Sequence, residues 1–197
     1  MHLPRIFPLL VLGASLLSGC LDSVVPSHDA AGTGSGSGGS GGAADGAGIE
    51  EPALFSMLGA AGYKASGFTQ INTTPYISSL DATHIRMFVS NDAVDAYKAV
   101  NPDAAATTGP AFPVGGIIVR EASDANGNLM AITTMVKREA GYFPEVGDFF
   151  FGVLDPKGQP VSEAGVLEWG KVQMCAGCHE PRQAAGFLFG VAPANRH

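Results

Sequence analysis

Near the end of the 197-residue chain stands Cys175-Ala176-Gly177-Cys178-His179. Two thiols three positions apart, followed at once by an imidazole, have the types and spacing by which a c-type haem is attached covalently. Each thiol can add to one haem vinyl group, and the histidine behind the second cysteine is placed to ligate iron from one face. The motif therefore nominates Cys175 and Cys178 for covalent attachment, His179 as the proximal iron ligand, and haem c, with its iron, as the cofactor. The same C-x-x-C spacing also serves disulfide oxidoreductases, structural disulfides and half-sites for zinc. These fit the surrounding sequence less well: zinc needs about four ligands, Cys20 is the only other cysteine and lies far away, and a thioredoxin-like motif opens a helix after a βαβ strand.

The N-terminus carries the features of an exported protein. Met1 to Arg5 gives a positive start, and Ile6 to Leu17 is an apolar run of about twelve residues, the core of a signal peptide. That run is shorter than the roughly 20 apolar residues that cross a bilayer. Leu17-Ser18-Gly19-Cys20 resembles a bacterial lipobox, which predicts a signal peptide over residues 1–19 and lipid attachment at Cys20. All three cysteines then have a task, one on lipid and two on haem, in an oxidising compartment where a stray thiol is a liability. Leu21 rather than Asp follows Cys20, which favours the outer membrane, with the domain in the periplasm or at the cell surface.

Residues 20–48 follow as a tether centred on Gly32-Thr33-Gly34-Ser35-Gly36-Ser37-Gly38-Gly39-Ser40-Gly41-Gly42. Glycine and serine offer little apolar area against a large backbone entropy cost, so no core forms there. About 28 such residues reach roughly 30 Å as a random coil. His28 sits in this tether, away from any haem. Residues 49–197 are one domain's worth of sequence, long enough to bury a core without disulfides. The chain has 11 basic and 18 acidic residues, and loss of residues 1–19 removes only Arg5, leaving a net charge of about −8. That balance makes nucleic acid and anionic lipid surfaces poor partners and allows a basic redox partner.

Periodicity places the motif among other elements. Residues 50–61 read as a helix, with acids and Pro52 at the start and Leu54, Phe55 and Leu58 at helical spacing. Ile85, Met87 and Val89 alternate with His84, Arg86 and Phe88 as in a strand, after which Asn91 is expected to cap a helix over residues 92–100. A second strand is expected over 114–122, with Ile117, Val119 and Glu121 on one side and Gly116, Ile118 and Arg120 on the other. A turn at Asp124–Asn128, a third strand over 129–137, a fourth over 148–154 and a turn at Asp155–Gly158 complete the pattern. The fold class is therefore α+β: a mainly antiparallel sheet with a few helices, packed on a C-terminal c-type haem segment.

The run from Ile85-Arg86 through Asn91-Asp92, the strand Gly116-Ile117-Ile118-Val119-Arg120-Glu121 and the late CAGCH together resemble the cytochrome P-460 family and its sister group, the cytochromes c-prime-beta. The resemblance covers most of the C-terminal domain. It implies an antiparallel sheet packed on a c-type haem, a proximal histidine corresponding to His179, and an open distal face. That face would bind or transform small nitrogen species, nitric oxide and hydroxylamine being the family's ligands. It also implies, by analogy, a homodimer. The family's oxidases carry a lysine before the strand glutamate that becomes cross-linked to the haem edge, where this chain has Arg120. A guanidinium stays protonated and is a poor nucleophile, so oxidation of hydroxylamine is weakened as an expectation. Lys137 and Lys171 do not fall in the matching pattern.

Arg86, Arg120 and Glu121 enter with the resemblance as the three distal-pocket or haem-edge candidates. Arg86, matching a family arginine and expected to share the parity of Arg120, can hold a propionate or a polar ligand, and Glu121 is a candidate proton relay. Phe88, Phe112, Phe149, Phe150 and Phe151 are candidates for an apolar pocket wall. A sixth ligand from Met87, Met130, Met135 or His84 would instead make an electron-transfer cytochrome with six-coordinate haem.

Overall fold

A computed structural model describes residues 51–78, 81–103, 106–163 and 165–196. The signal peptide, the lipid site at Cys20 and most of the tether, with His28, lie outside the described residues. All of the described residues belong to one compact unit.

Helix α1 spans Glu51–Gly59, and its buried Leu54 and Leu58 give it one apolar side. Strands β1 (Phe68–Gln70) and β2 (Tyr76–Ile77) both pair with β3 (His84–Ser90), β1 along its C-terminal half and β2 along its start. Between them the buried Asn72 takes the place of strand backbone. Its Nδ2 donates to Ile85 O at 2.8 Å and to Thr74 O at 2.9 Å, and its Oδ1 accepts from Met87 N at 2.8 Å. A 3-10 turn over Asn91–Ala93 leads into α2 (Val94–Ala99).

Asn91 does not cap this helix: its Oδ1 accepts from Thr69 Oγ1 at 2.9 Å, which ties β1 to the end of β3. The expected helix is accordingly shorter and begins with tighter winding.

Then come β4 (Ile117–Ser123), β5 (Leu129–Lys137) and β6 (Phe149–Leu154). Strand β4 starts later than its apolar run because Gly116 N bonds to Pro113 O in a turn. The β4–β5 turn forms as expected, with Asp124 Oδ1 accepting from the backbone of both Asn126 and Asn128 at 2.8 Å. Strands β7 (Ser162–Glu163) and β8 (Val166–Leu167) make a separate two-stranded hairpin, β9 (Trp169–Gly170) returns to β6, and α3 (Gln173–His179) carries the cysteine motif. The main sheet has seven strands in the order β1-β3-β4-β5-β6-β9, with β2 also on β3, and every pairing is antiparallel. The fold is α+β.

Each face of this sheet has its own core. On one side α1 packs with Tyr63, Phe88, Ile117, Val119, Phe150 and Leu154. Trp169 closes that side, its ring lying 5.2 Å from Phe150 and 6.0 Å from Phe55. Only glycine at 152 allows this, since a Cβ there would meet the Trp169 ring at 2.7 Å. On the other side α2, α3 and the C-terminal segment cover Ile85, Met87, Ile118, Met135, Phe149 and Phe151. Alternation along β3, β4 and β6 divides the residues between the two faces, as strand geometry requires.

Candidate functional site

Helix α3 brings the motif onto the sheet. Cys175 and Cys178 are spaced i, i+3, which places neighbouring side chains on one helix face. Ala176, on another face, is buried. Both cysteines are free thiols; Cys178 is exposed, and Cys175 is half-buried against the core that contains Met87, Met135 and Phe151. Burial pushes the Cys175 thiol up to about 11, and the Glu168 carboxylate and Cys178 add to that rise.

His179 is fixed from several sides. Its Nδ1 lies 2.7 Å from the carbonyl oxygen of Phe187. A carbonyl can only accept, so Nδ1 carries the hydrogen and Nε2 is left with its lone pair. The ring packs 5.2 Å from Phe151 and 5.0 Å from Phe189. Burial lowers the affinity of this imidazole for a proton, the bond to Phe187 opposes that, and Arg182 reinforces it. Arg182 is itself buried, donating to Leu188 O at 3.2 Å and to Asn101 O and Pro102 O at 3.1 Å, with its guanidinium 4.9 Å from the Phe189 ring.

These features suit a c-type haem. Two unbridged thiols share a helix face, and an imidazole held neutral by burial offers Nε2, with its tautomer set by a backbone carbonyl as metal-binding histidines usually are. Among the described residues, no group of three or more His, Cys, Asp or Glu side chains is arranged to hold a metal ion. A hollow of about 220 Å³ beside α3, lined by Phe143, Glu145, Val146, Gln173, Gly177 and Glu180, lies along a helix flank that does not include the cysteines.

The strand candidates separate. Register pairs Arg86 with Glu121 and Met87 with Arg120. Directly opposite residues point the same way, so Arg86 and Arg120 face opposite sides of the sheet, contrary to the shared parity expected. Glu121 is 3% exposed on the α1 side, where it accepts from Tyr63 Oη at 2.7 Å and pairs with Lys64 Nζ. Arg86, on that same side, is exposed. Neither residue is brought beside His179. Arg120 alone of the three lies on the side covered by α3.

There its Nη2 donates to Asp81 Oδ2 at 2.9 Å and to Thr83 Oγ1 at 3.3 Å. Asp81 also accepts from Thr83 N and Thr83 Oγ1. These bonds overcome the cost of its partial burial and hold its carboxyl well below the usual carboxylate range.

Of the aromatic candidates, Phe149 and Phe151 face α3, with Phe112 packed against the same core, whereas Phe88 and Phe150 face α1. Among the candidate sixth ligands, Met87 and Met135 are buried on the α3 side and Met130 is exposed. His84 is half-buried and alternates with Ile85, so it faces the α1 side. Lys137 donates to Gly147 O at 2.5 Å, and Lys171 lies over the Tyr142 ring at 5.0 Å.

Sequence reasoning did not reach Phe187 and Phe189, which hold and pack His179, nor Asp81 and Glu168. Glu168 sits in the bend just before β9, where its carbonyl oxygen accepts from Val153 N at 2.9 Å, and its carboxylate lies close enough to Cys175 on α3 to raise that thiol's proton affinity. The side chain of Glu168 is buried and, among the described residues, has no hydrogen-bond or ion-pair partner. No family model matches the chain, and no curated protein matches it.

Proposed function

We propose that the protein is a c-type haem protein of the cytochrome P-460 kind, anchored to a bacterial membrane through lipid on Cys20, that binds or transforms small nitrogen species at an open distal site. The observation that carries this reading is His179, whose Nδ1 is committed to Phe187 O while two unbridged cysteines stand beside it on α3. When bound, haem c supplies iron that takes diatomic and nitrogen ligands and exchanges electrons. Cys175 and Cys178 hold the ring, His179 supplies Nε2, and Phe151 with Phe189 keeps that imidazole in place and shields it from water. Arg120 offers guanidinium donors on the same sheet face, and replacing the family's lysine with it argues for ligand binding over oxidase chemistry.

A second reading, electron transfer through a six-coordinate haem, draws on Met87 and Met135, both buried on the α3 face. One experiment separates the two. The full chain is expressed with export, and its spectra are recorded oxidised and reduced, with a pyridine haemochrome assay and a nitric oxide titration. A high-spin haem c that takes up the gas supports the open site. A low-spin spectrum indifferent to the gas supports the electron carrier, and a protein without covalent haem overturns both.

A further inference from the structure

One cross-sheet row on the α3 side runs Met87, Arg120, Thr133, Val153 and Glu168. Met87 pairs with Arg120, Arg120 with Thr133, Thr133 with Val153, and Glu168 follows across the next strand through its carbonyl bond to Val153. It lies beside the row of Val89, Ile118, Met135 and Phe151, whose last ring packs on His179. The row carries opposite charges toward its two ends, but they are not free to the same degree. Arg120 is matched by Asp81 at 2.9 Å, so that end carries a donor fork with little net charge. Its Nε and Nη1 have no partner among the described residues. Glu168 is 8% exposed and, among the described residues, makes no ion pair. The nearest buried cation to His179, Arg182, is spent on three carbonyl oxygens.

We infer that Asp81 and Glu168 are selectivity residues of the haem site: Asp81 cancels the charge of Arg120, Glu168 leaves a carboxylate on the same face, and the site therefore admits neutral ligands in preference to anions. The inference rests on the haem reading above and adds to it which nitrogen ligands are taken: uncharged ones such as nitric oxide or free hydroxylamine rather than azide or nitrite. Asp81 acts through Arg120 and is a positioning residue. It holds the guanidinium by one edge, so the remaining N–H groups stay available as donors, while the field that would attract an anion is removed.

The test uses the exported, haem-bearing full chain and two small probes, the neutral nitric oxide and the azide anion, titrated against the ferric protein. The quantity read is the ratio of the two affinities in wild type, Asp81→Asn, Glu168→Gln and Arg120→Gln. Asp81→Asn and Glu168→Gln each shift the ratio toward azide by at least about fivefold, the effect of one charge within about 15 Å in an effective dielectric of about 20. Arg120→Gln shifts it the other way, and added salt shrinks all three changes. Because Asp81 also organises its own loop, Glu168→Gln decides the matter if Asp81→Asn does not fold. Ratios within twofold of wild type in every folded variant overturn the charge filter while leaving the haem site standing. A chain carrying no covalent haem overturns both.

Discussion

His179 Nδ1 donates to Phe187 O at 2.7 Å, and Phe187 is held in a left-handed backbone conformation, φ 63°, directly after Gly186 at φ 66°. The turn reverses the chain just behind α3, so a residue eight positions later returns its carbonyl to the imidazole. The Phe187 ring in turn covers Gly147, where an added Cβ would stand 2.5 Å from it. An uninterrupted series of contacts thus leads from Gly147 through Phe187 to the proposed iron ligand.

Gly147→Ala is expected to loosen that series. Gly147 has φ 64°, so alanine is strained there as well as crowded. Strain and overpacking together should cost about 1–3 kcal/mol. With Phe187 displaced, the imidazole loses a partner that raises its basicity, and the reduction potential of the haem-bearing protein should rise. Gly141→Ala is the control, since Gly141 has φ 93° with nothing within 4 Å of an added Cβ, giving strain without displacement. Urea midpoints and redox titrations of both variants check this; equal potentials in the two would sink it.

Glu121→Gln should act on stability and not on the haem. Its carboxylate is buried against Tyr63 and Lys64 on the α1 side, and burial together with that carboxylate holds the Tyr63 phenol well above its ordinary range. Glutamine keeps an acceptor for Tyr63 but ends the pairing with Lys64, whose side chain is 48% exposed and so contributes little. A loss of about 1–2 kcal/mol is expected, with nitric oxide affinity within twofold of wild type. A fivefold fall in that affinity would instead connect Glu121 to the iron.

Much of this fold was legible because strand alternation is a local property. Ile117, Val119 and Glu121 against Ile118 and Arg120 could be sorted onto two faces before any partner strand was known, and the structure keeps that division. Parity between strands is different. Arg86 and Arg120 share a face only in a register other than the one formed, and a shift of one residue in pairing exchanges the faces. The short strands β1, β2, β7, β8 and β9 have too few residues to show a period.

The site divided along the same line. Cys175, Cys178 and His179 announce themselves by spacing, but the partners of His179 depend on a left-handed turn at residues 186–187 that no periodicity encodes. Asp81 reaches Arg120 across 39 residues, and Glu168 is known as a buried carboxylate only from its place beside Val153.

Asn72→Ala tests the join between the sheet edge and the α3 face. The Asn72 side chain satisfies Met87 N and Ile85 O, both on β3 and both buried beside residues of the α3-side core. Alanine leaves a buried donor and a buried acceptor without partners, which should cost about 2–4 kcal/mol. Denaturation in urea measures it, and a loss below about 1 kcal/mol would mean that water or a shifted backbone replaces the amide.

The stability of the haem-free chain should depend on pH through His179. Burial, the larger cause, and the nearby Arg182 lower its proton affinity in the folded state, and the bond to Phe187 only partly offsets them. The unfolded imidazole titrates near 6.5. Between the folded value and about 6.5 the unfolded chain therefore holds more protons than the folded one, so stability rises with pH across that interval. Full stability is present above the unfolded value, is lost as pH falls through it, and levels off below the folded value. A Cys175→Ala/Cys178→Ala chain, which cannot attach haem, should lose more stability between pH 7.5 and pH 5.5 than the same chain carrying His179→Gln. Equal losses in the two would place the acid sensitivity elsewhere, and His179 would then be protonated in the fold as readily as out of it.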